Sequence, residues 1–192
     1  MHRQLRSKKM MTPENTRLII VDIQERLLPA LHENQAFLAA CRQFITGANL
    51  LGVPHIITEQ YPKGLGATVP DIALLTPDAP KFSKTQFSAY TAEVAAALQQ
   101  GQPESGQAQN IILIGCETHI CMLQTVLDLR QQGYNVFIPQ ECATSRTAAN
   151  KANGLQQIQA AGGVVSNIES LLFMLLKDAQ HPQFKAISKL IV

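Results

Sequence analysis

Short, branched apolar runs alternate with helical stretches that end on glycine, and this alternation leaves few folds open to the chain. "RLIIVDIQ" contains an unbroken apolar run over residues 18–21. A run without polar alternation suits a parallel strand covered on both faces. Residues 33–51 read as a long helix, closed by Gly52 and followed by Pro54, which is good stop chemistry. "HIIT" from His55 gives a second strand and "PKFSK" around Phe82 a weak third. "TAEVAAALQQ" is a helix ended by Gly101, and residues 110–114 resume as a strand. A helix over 118–132 stops at Gly133, a strand over 134–138 follows, and a helix over 147–161 stops at Gly162-Gly163. A strand near Val164 and helices over 168–178 and 182–190 complete the chain. Such alternation implies right-handed crossovers between parallel strands. The expected architecture is a three-layer α/β sandwich, its central, mostly parallel sheet of about six strands covered by helices on both faces.

The remaining segments set the domain plan. Residues 1–14 read as a basic, flexible tail and 15–192 as one domain, in keeping with a length of 192 residues. Residues 59–78 are broken by Pro and Gly, too polar for a regular element. Residues 101–109, "GQPESGQAQ", read as a flexible surface connection and not a boundary. Arg3, Arg6, Lys8 and Lys9 all precede the first acid, Glu14; without them the net charge of +2 becomes −2. An acidic body is a poor match for nucleic acid. No apolar run approaches the ~20 residues of a membrane span, and no apolar stretch follows the basic start as a secretory signal requires. Four cysteines without a CxxC pair do not make a disulfide framework, so free thiols in a reducing cytoplasm are expected.

In parallel sheets, ligands bind at the carboxyl ends of the strands. Three reactive side chains fall there. Asp22 follows the first strand, Lys84 follows the third, and Cys121 lies one turn into the helix after "NIILIGCETHICMLQ". With Thr118 as N-cap, Cys121 becomes the third helical residue, facing unpaired amides at the positive helix end. That setting is expected to lower the thiol pKa. Asp22 is placed to accept the thiol proton, Lys84 to orient both charges, and the amides of Glu117 and Cys121 to receive an oxyanion. Each residue alone also has an ordinary reading as a turn former, a solvated charge or a small core side chain. Cys41, Cys116 and Cys142 are read as structural.

"LIIVDIQERLLP", "TEQYPKGLG", "KTQFSAY" and "IGCETHICMLQTVLDLRQQGYNVFIPQECATSR" together resemble the isochorismatase-like cysteine hydrolase superfamily, most closely its isochorismatase domain-containing branch. The resemblance runs from about Arg17 to the C-terminus. It implies a Rossmann-like sandwich, an Asp-Lys-Cys triad on Asp22, Lys84 and Cys121, and a non-proline cis peptide between Cys116 and Glu117. It favours Lys84 over Lys81, since Lys84 stands three residues ahead of Phe87-Ser88 as in the family pattern. Related nicotinamidases carry an Asp and two His that hold a metal; here the matching stretch offers only Glu59. No metal and no cofactor are therefore expected. A zinc site from Cys116, His119 and Cys121 fits no standard spacing.

A nucleophilic cysteine points to acyl transfer at an amide-type C–N bond of a small molecule, through a thioester intermediate. Gln24, Glu59, Gln60, Tyr61, Phe87, Thr118 and His119 are the expected pocket wall. "IESLLFMLLKDA" is apolar nearly all round, as a central core helix or a subunit interface would be, and the resemblance implies a homo-oligomer. The alternative is a catalytically idle oligomeric scaffold or binding subunit of the same fold. A dinucleotide-binding oxidoreductase needs a glycine-rich turn after its first strand, and "VDIQERLLP" has none.

Overall fold

The computed structural model describes residues 10–100 and 110–191. Seven strands form one sheet: β1 Thr16–Val21, β2 His55–Gln60, β3 Lys81–Lys84, β4 Asn110–Cys116, β5 Asn135–Pro139, β6 Ala143–Thr144 and β7 Val164–Ser166. Their order is β3-β2-β1-β4-β5-β7, with the two-residue β6 also against β4, and every ladder is parallel. The helices are α1 Asn34–Leu50, α2 Pro62–Leu65, α3 Pro70–Ala73, α4 Ala92–Gln99, α5 Leu123–Gln131, α6 Ala148–Ala160, α7 Ile168–Leu176 and α8 Phe184–Ile191.

The unbroken apolar runs divide by alternate residues between two cores, as strand geometry requires. Leu18 and Ile20 of β1, with Ile112 and Ile114 of β4, pack with Phe44 of α1, Leu172 of α7 and Ile187 of α8. Ile19 and Val21, with Ile111 and Leu113, face Val94 of α4, Val126 of α5 and Ile158 of α6. On α7, Leu171, Leu172, Leu175 and Leu176 are buried, while Phe173 and Met174 remain partly exposed. That helix is thus a core element with a residual apolar outer face.

The seven strands, one of them the two-residue β6, fit the expected sheet of about six. One expectation changes. Residues 59–78 are not devoid of regular structure: β2 runs through Gln60, and α2 and α3 are single turns, each begun by a proline at its first position. The first nine residues of the expected tail, and the connection over 101–109, lie outside the described residues. Met11 is buried in the core, so the packed body reaches ahead of residue 15.

Chain order in the sheet reverses between β1 and β4. The sheet grows outward through β2 and β3, then restarts on the other side of β1. The crevice at the carboxyl ends of β1 and β4 is therefore the topological switch point, where open parallel sheets bind ligands.

Candidate active site

Asp22 leaves β1 at this switch point with a left-handed backbone (φ 55°), a conformation aspartate tolerates better than most residues. Its amide donates to Thr58 O at 3.1 Å. Thr58 Oγ1 donates to Asp22 Oδ1 at 2.8 Å. Lys84 Nζ meets Asp22 Oδ2 at 2.6 Å, both side chains fully withdrawn from solvent. Strand register explains this convergence. Thr58 and Gln60, two apart on β2, share one face, and Lys84 is the register neighbour of Gln60 on β3. A four-carbon stem then spans the remaining distance to Asp22.

The third group arrives from β4. Gly115 has φ 130°, and a Cβ there would lie 2.0 Å from Val21 O, so only glycine lets β4 run this close to the exit of β1. The Cys116–Glu117 peptide is cis, as the resemblance implies. Thr118–Met122 forms a π-helical turn that continues into α5. Cys121 lies on that turn, nearly buried, within electrostatic reach of the Asp22 carboxylate and Lys84, while the Glu117 amide favours its ionised form. Asp22, Lys84 and Cys121, 62 and 37 residues apart along the chain, are thus brought together.

The electrostatics differ from the sequence expectation. Burial and the neighbouring Asp22 carboxylate push the Cys121 thiol up to about 12, against the pull of Lys84 and the Glu117 amide. The helix start was expected to lower it. Burial also raises the Asp22 pKa, opposed by Lys84, Thr58 and the thiol. The resting pair is a protonated thiol beside a carboxylate whose own pKa is above the ordinary value. Nor is Thr118 the N-cap. Glu117 holds that position without a side-chain bond, and Thr118 Oγ1 donates instead to Thr144 O at 2.9 Å.

The expected pocket wall divides. Gln24 is fully buried, and its amide engages Gln60 N (2.8 Å), Gln60 O (3.1 Å) and Gly66 O (2.7 Å). It splices the exit of β1 to the exit of β2 and has no polar atom to offer a substrate. Glu59 Oε1 accepts from Thr68 N and Oγ1 at 2.8 and 2.7 Å and faces Lys81 Nζ at 3.5 Å. Burial raises its pKa, but those partners together hold it below the ordinary value. Glu59 and Lys81 are therefore a structural pair. Gln60 bonds Lys84, and Thr118 is buried. His119 stays partly accessible, with Nδ1 3.0 Å from Ser145 Oγ. Tyr61 (55% exposed) and Phe87 (52% exposed) project outward on either side of Lys84, whose carbonyl accepts from Tyr61 N and whose Nζ donates to Phe87 O. Among the described residues, no group of three or more His, Cys, Asp or Glu is disposed to hold a metal ion. Cys41, Cys116 and Cys142 are fully buried free thiols.

Several residues that position the site were not singled out in the sequence. Thr125 Oγ1 donates to Cys121 O (2.6 Å) and accepts from Ala89 N (2.7 Å), joining the Cys121 turn to the loop after Lys84. Arg146 holds the Glu117 carboxylate through its backbone amide (2.9 Å) and Nε (3.2 Å). Gly154 of α6 lets that helix touch the π-helical turn, since a Cβ there would lie 2.7 Å from His119 N. A threonine in a branched strand and a glycine inside a helix were the available signals for Thr58 and Gly154.

The isochorismatase domain model matches residues 16–170. The chain belongs to the isochorismatase family. Isochorismatase domain-containing protein 2 of Bos taurus is 38% identical over 181 residues, covering 93% of this chain and 84% of that one. A secreted isochorismatase effector of Phytophthora sojae, Isc1, is 36% identical, covering 93% and 85%. Among solved structures, the MAR1 ribonuclease of Caenorhabditis elegans superposes with a TM-score of 0.88 at 33% identity, covering 95% of this chain and 92% of that one. As a member of this family the chain has a hydrolase fold, with Asp22, Lys84 and Cys121 gathered at the sheet's switch point.

Proposed function

We propose that this isochorismatase-family hydrolase cleaves an amide-type C–N bond of a small molecule without a metal, with Cys121 as nucleophile, Asp22 as general base and Lys84 as the electrostatic anchor. The observation that supports this most is the fully buried 2.6 Å Lys84–Asp22 contact, with the Cys121 thiol close enough to bias the same carboxylate. A raised pKa makes the Asp22 carboxylate a stronger proton acceptor, and the raised pKa of the thiol makes such an acceptor necessary. In the proposed reaction, Asp22 takes the thiol proton as Sγ bonds to the carbonyl carbon. The carbonyl electron pair moves to oxygen, where the Glu117 and Cys121 amides receive it. Collapse breaks the C–N bond, and Asp22 returns the proton to the departing nitrogen. Water then loses a proton to Asp22 and attacks the thioester, releasing a carboxylic acid and restoring the thiol.

Tyr61, Phe87 and His119 are the remaining wall candidates, because their exposed surfaces are not consumed by the fold. The partly exposed Phe173 and Met174 make the outer face of α7 the surface offered to a second copy in a homo-oligomer. Four free buried thiols suit a reducing compartment such as the cytoplasm; no helix among the described residues is long and apolar enough to cross a membrane. The ribonuclease activity in the nematode relative's name is not carried over, since the body is acidic once the first nine residues are set aside.

The pH dependence of hydrolysis across a panel of small primary amides tests this reading. Turnover requires ionised Asp22, so kcat/KM is expected to fall as pH drops, with an acid midpoint above the ordinary carboxylate value of about 3.9. Chelators are expected to leave the rate unchanged. Loss of activity with a chelator, or no turnover of any amide beside saturable binding of a partner, would contradict the proposal.

A further inference from the structure

Gln60 does more than border the pocket: we propose that its amide is the neutral positioning group that holds the Lys84 ammonium against Asp22, and so sets how readily Cys121 yields its proton. An ammonium carries three donors and no acceptor. In this site Lys84 Nζ finds Asp22 Oδ2 at 2.6 Å, Gln60 Oε1 at 2.7 Å and Phe87 O at 3.0 Å, with a longer contact to Gln86 O at 3.4 Å. All three donors are engaged within a fully buried side chain, and only one of the close acceptors is charged. The two neutral acceptors satisfy the ammonium without dividing its charge, leaving that charge to Asp22.

Gln60 is itself fixed at every polar group. Its Nε2 donates to Thr85 O at 2.8 Å, which leaves Oε1, the one atom of the amide able to accept, turned toward the lysine. Its backbone N–H and C=O are both taken by the buried amide of Gln24. Gln24 follows Asp22 by two residues on the same chain exit, so β1 supplies both the base and the clamp that orients Gln60. The register pairing of Gln60 with Lys84 then sets the two side chains side by side on one face. A chain of contacts thus runs from Gln24 through Gln60 and Lys84 to Asp22 and the thiol.

This role rests on Cys121 being the reactive thiol, and the test keeps the two ideas apart. The measurement is the rate of iodoacetamide alkylation at pH 8, read at each cysteine by peptide mass spectrometry, in the wild type, Gln60→Glu and Gln60→Met. Gln60→Glu keeps the shape but sets a second carboxylate on Lys84. It is expected to slow labelling of Cys121 by about tenfold, one decade of thiolate fraction for each unit of thiol pKa. Gln60→Met removes the acceptor without adding charge, and a smaller loss of about threefold is expected, since the ammonium is loosened but no second carboxylate competes for it. If Gln60→Glu does not fold, the Gln60→Met rate decides alone. A merely structural role for Gln60 would open Cys41 and Cys142 to the label and leave the Cys121 rate unchanged. Wild-type labelling of Cys121 in the folded variants overturns the role given to Gln60 while leaving the nucleophile in place. Slower labelling of Cys121 than of the fully buried Cys41 in the wild type overturns both.

Discussion

Replacing Cys121 by alanine is expected to lower kcat on any true amide substrate by at least about 10⁴-fold, the scale seen when a nucleophile is removed from a hydrolase that works as a unit. Asp22, Lys84 and the Glu117 amide stay in place in that variant, but none can form the bond that the thiol forms. The fold should survive, because the substitution removes one sulfur from a site at the edge of the core. The unfolding midpoint in urea is expected to correspond to a change of about 1 kcal/mol or less. Serine should not rescue the rate: an alkoxide is still harder to generate in a site whose burial already pushes the thiol up to about 12. Steady-state kinetics on the purified variants check this. A Cys121→Ala protein keeping a tenth of wild-type turnover would remove the nucleophile from the proposed mechanism.

The Asp22–Lys84 pair carries the largest expected effect on stability. Both charges are fully buried, so breaking the pair from one side leaves the other charge without a counter-ion. Asp22→Asn alone or Lys84→Met alone is expected to cost about 3–5 kcal/mol, a large part of a typical net stability of about 5–15 kcal/mol. The double variant removes both charges and is expected to regain more than half of that loss, because no charge then remains to be desolvated. Urea unfolding of the four proteins gives the coupling directly. Additive losses in the double variant would show that the two side chains do not depend on each other.

The sequence made the frame of the site legible. Continuous apolar runs marked the parallel strands, glycine stops marked the helix ends, and the strand-end rule pointed to Asp22, Lys84 and Cys121 before any contact was known. It failed where the deciding contact joins distant residues. Thr118 is a sound N-cap by local chemistry, yet its hydroxyl is drawn to Thr144 O, 26 residues away. A thiol at a helix start should be acidic, but burial and the Asp22 carboxylate outweigh the turn's amides, and neither is visible in the local spacing. Gln24 and Gln60 look like pocket polar groups until their partners, 36 and 24 residues distant, are seen to consume them. The single turns α2 and α3 escaped notice because residues 59–78 are shaped by non-local bonds: Gln24 to Gly66 O, Glu59 to Thr68, and Ile23 O to Val69 N.

The most direct measurement is the mass of the enzyme quenched in acid during turnover of a primary amide. We expect a covalent acyl increment on the peptide that contains Cys121, absent when Cys121 is alanine and strongly reduced when Asp22 is asparagine. Turnover at an undiminished rate in the Cys121→Ala protein, with no acyl increment on any wild-type peptide, would contradict it.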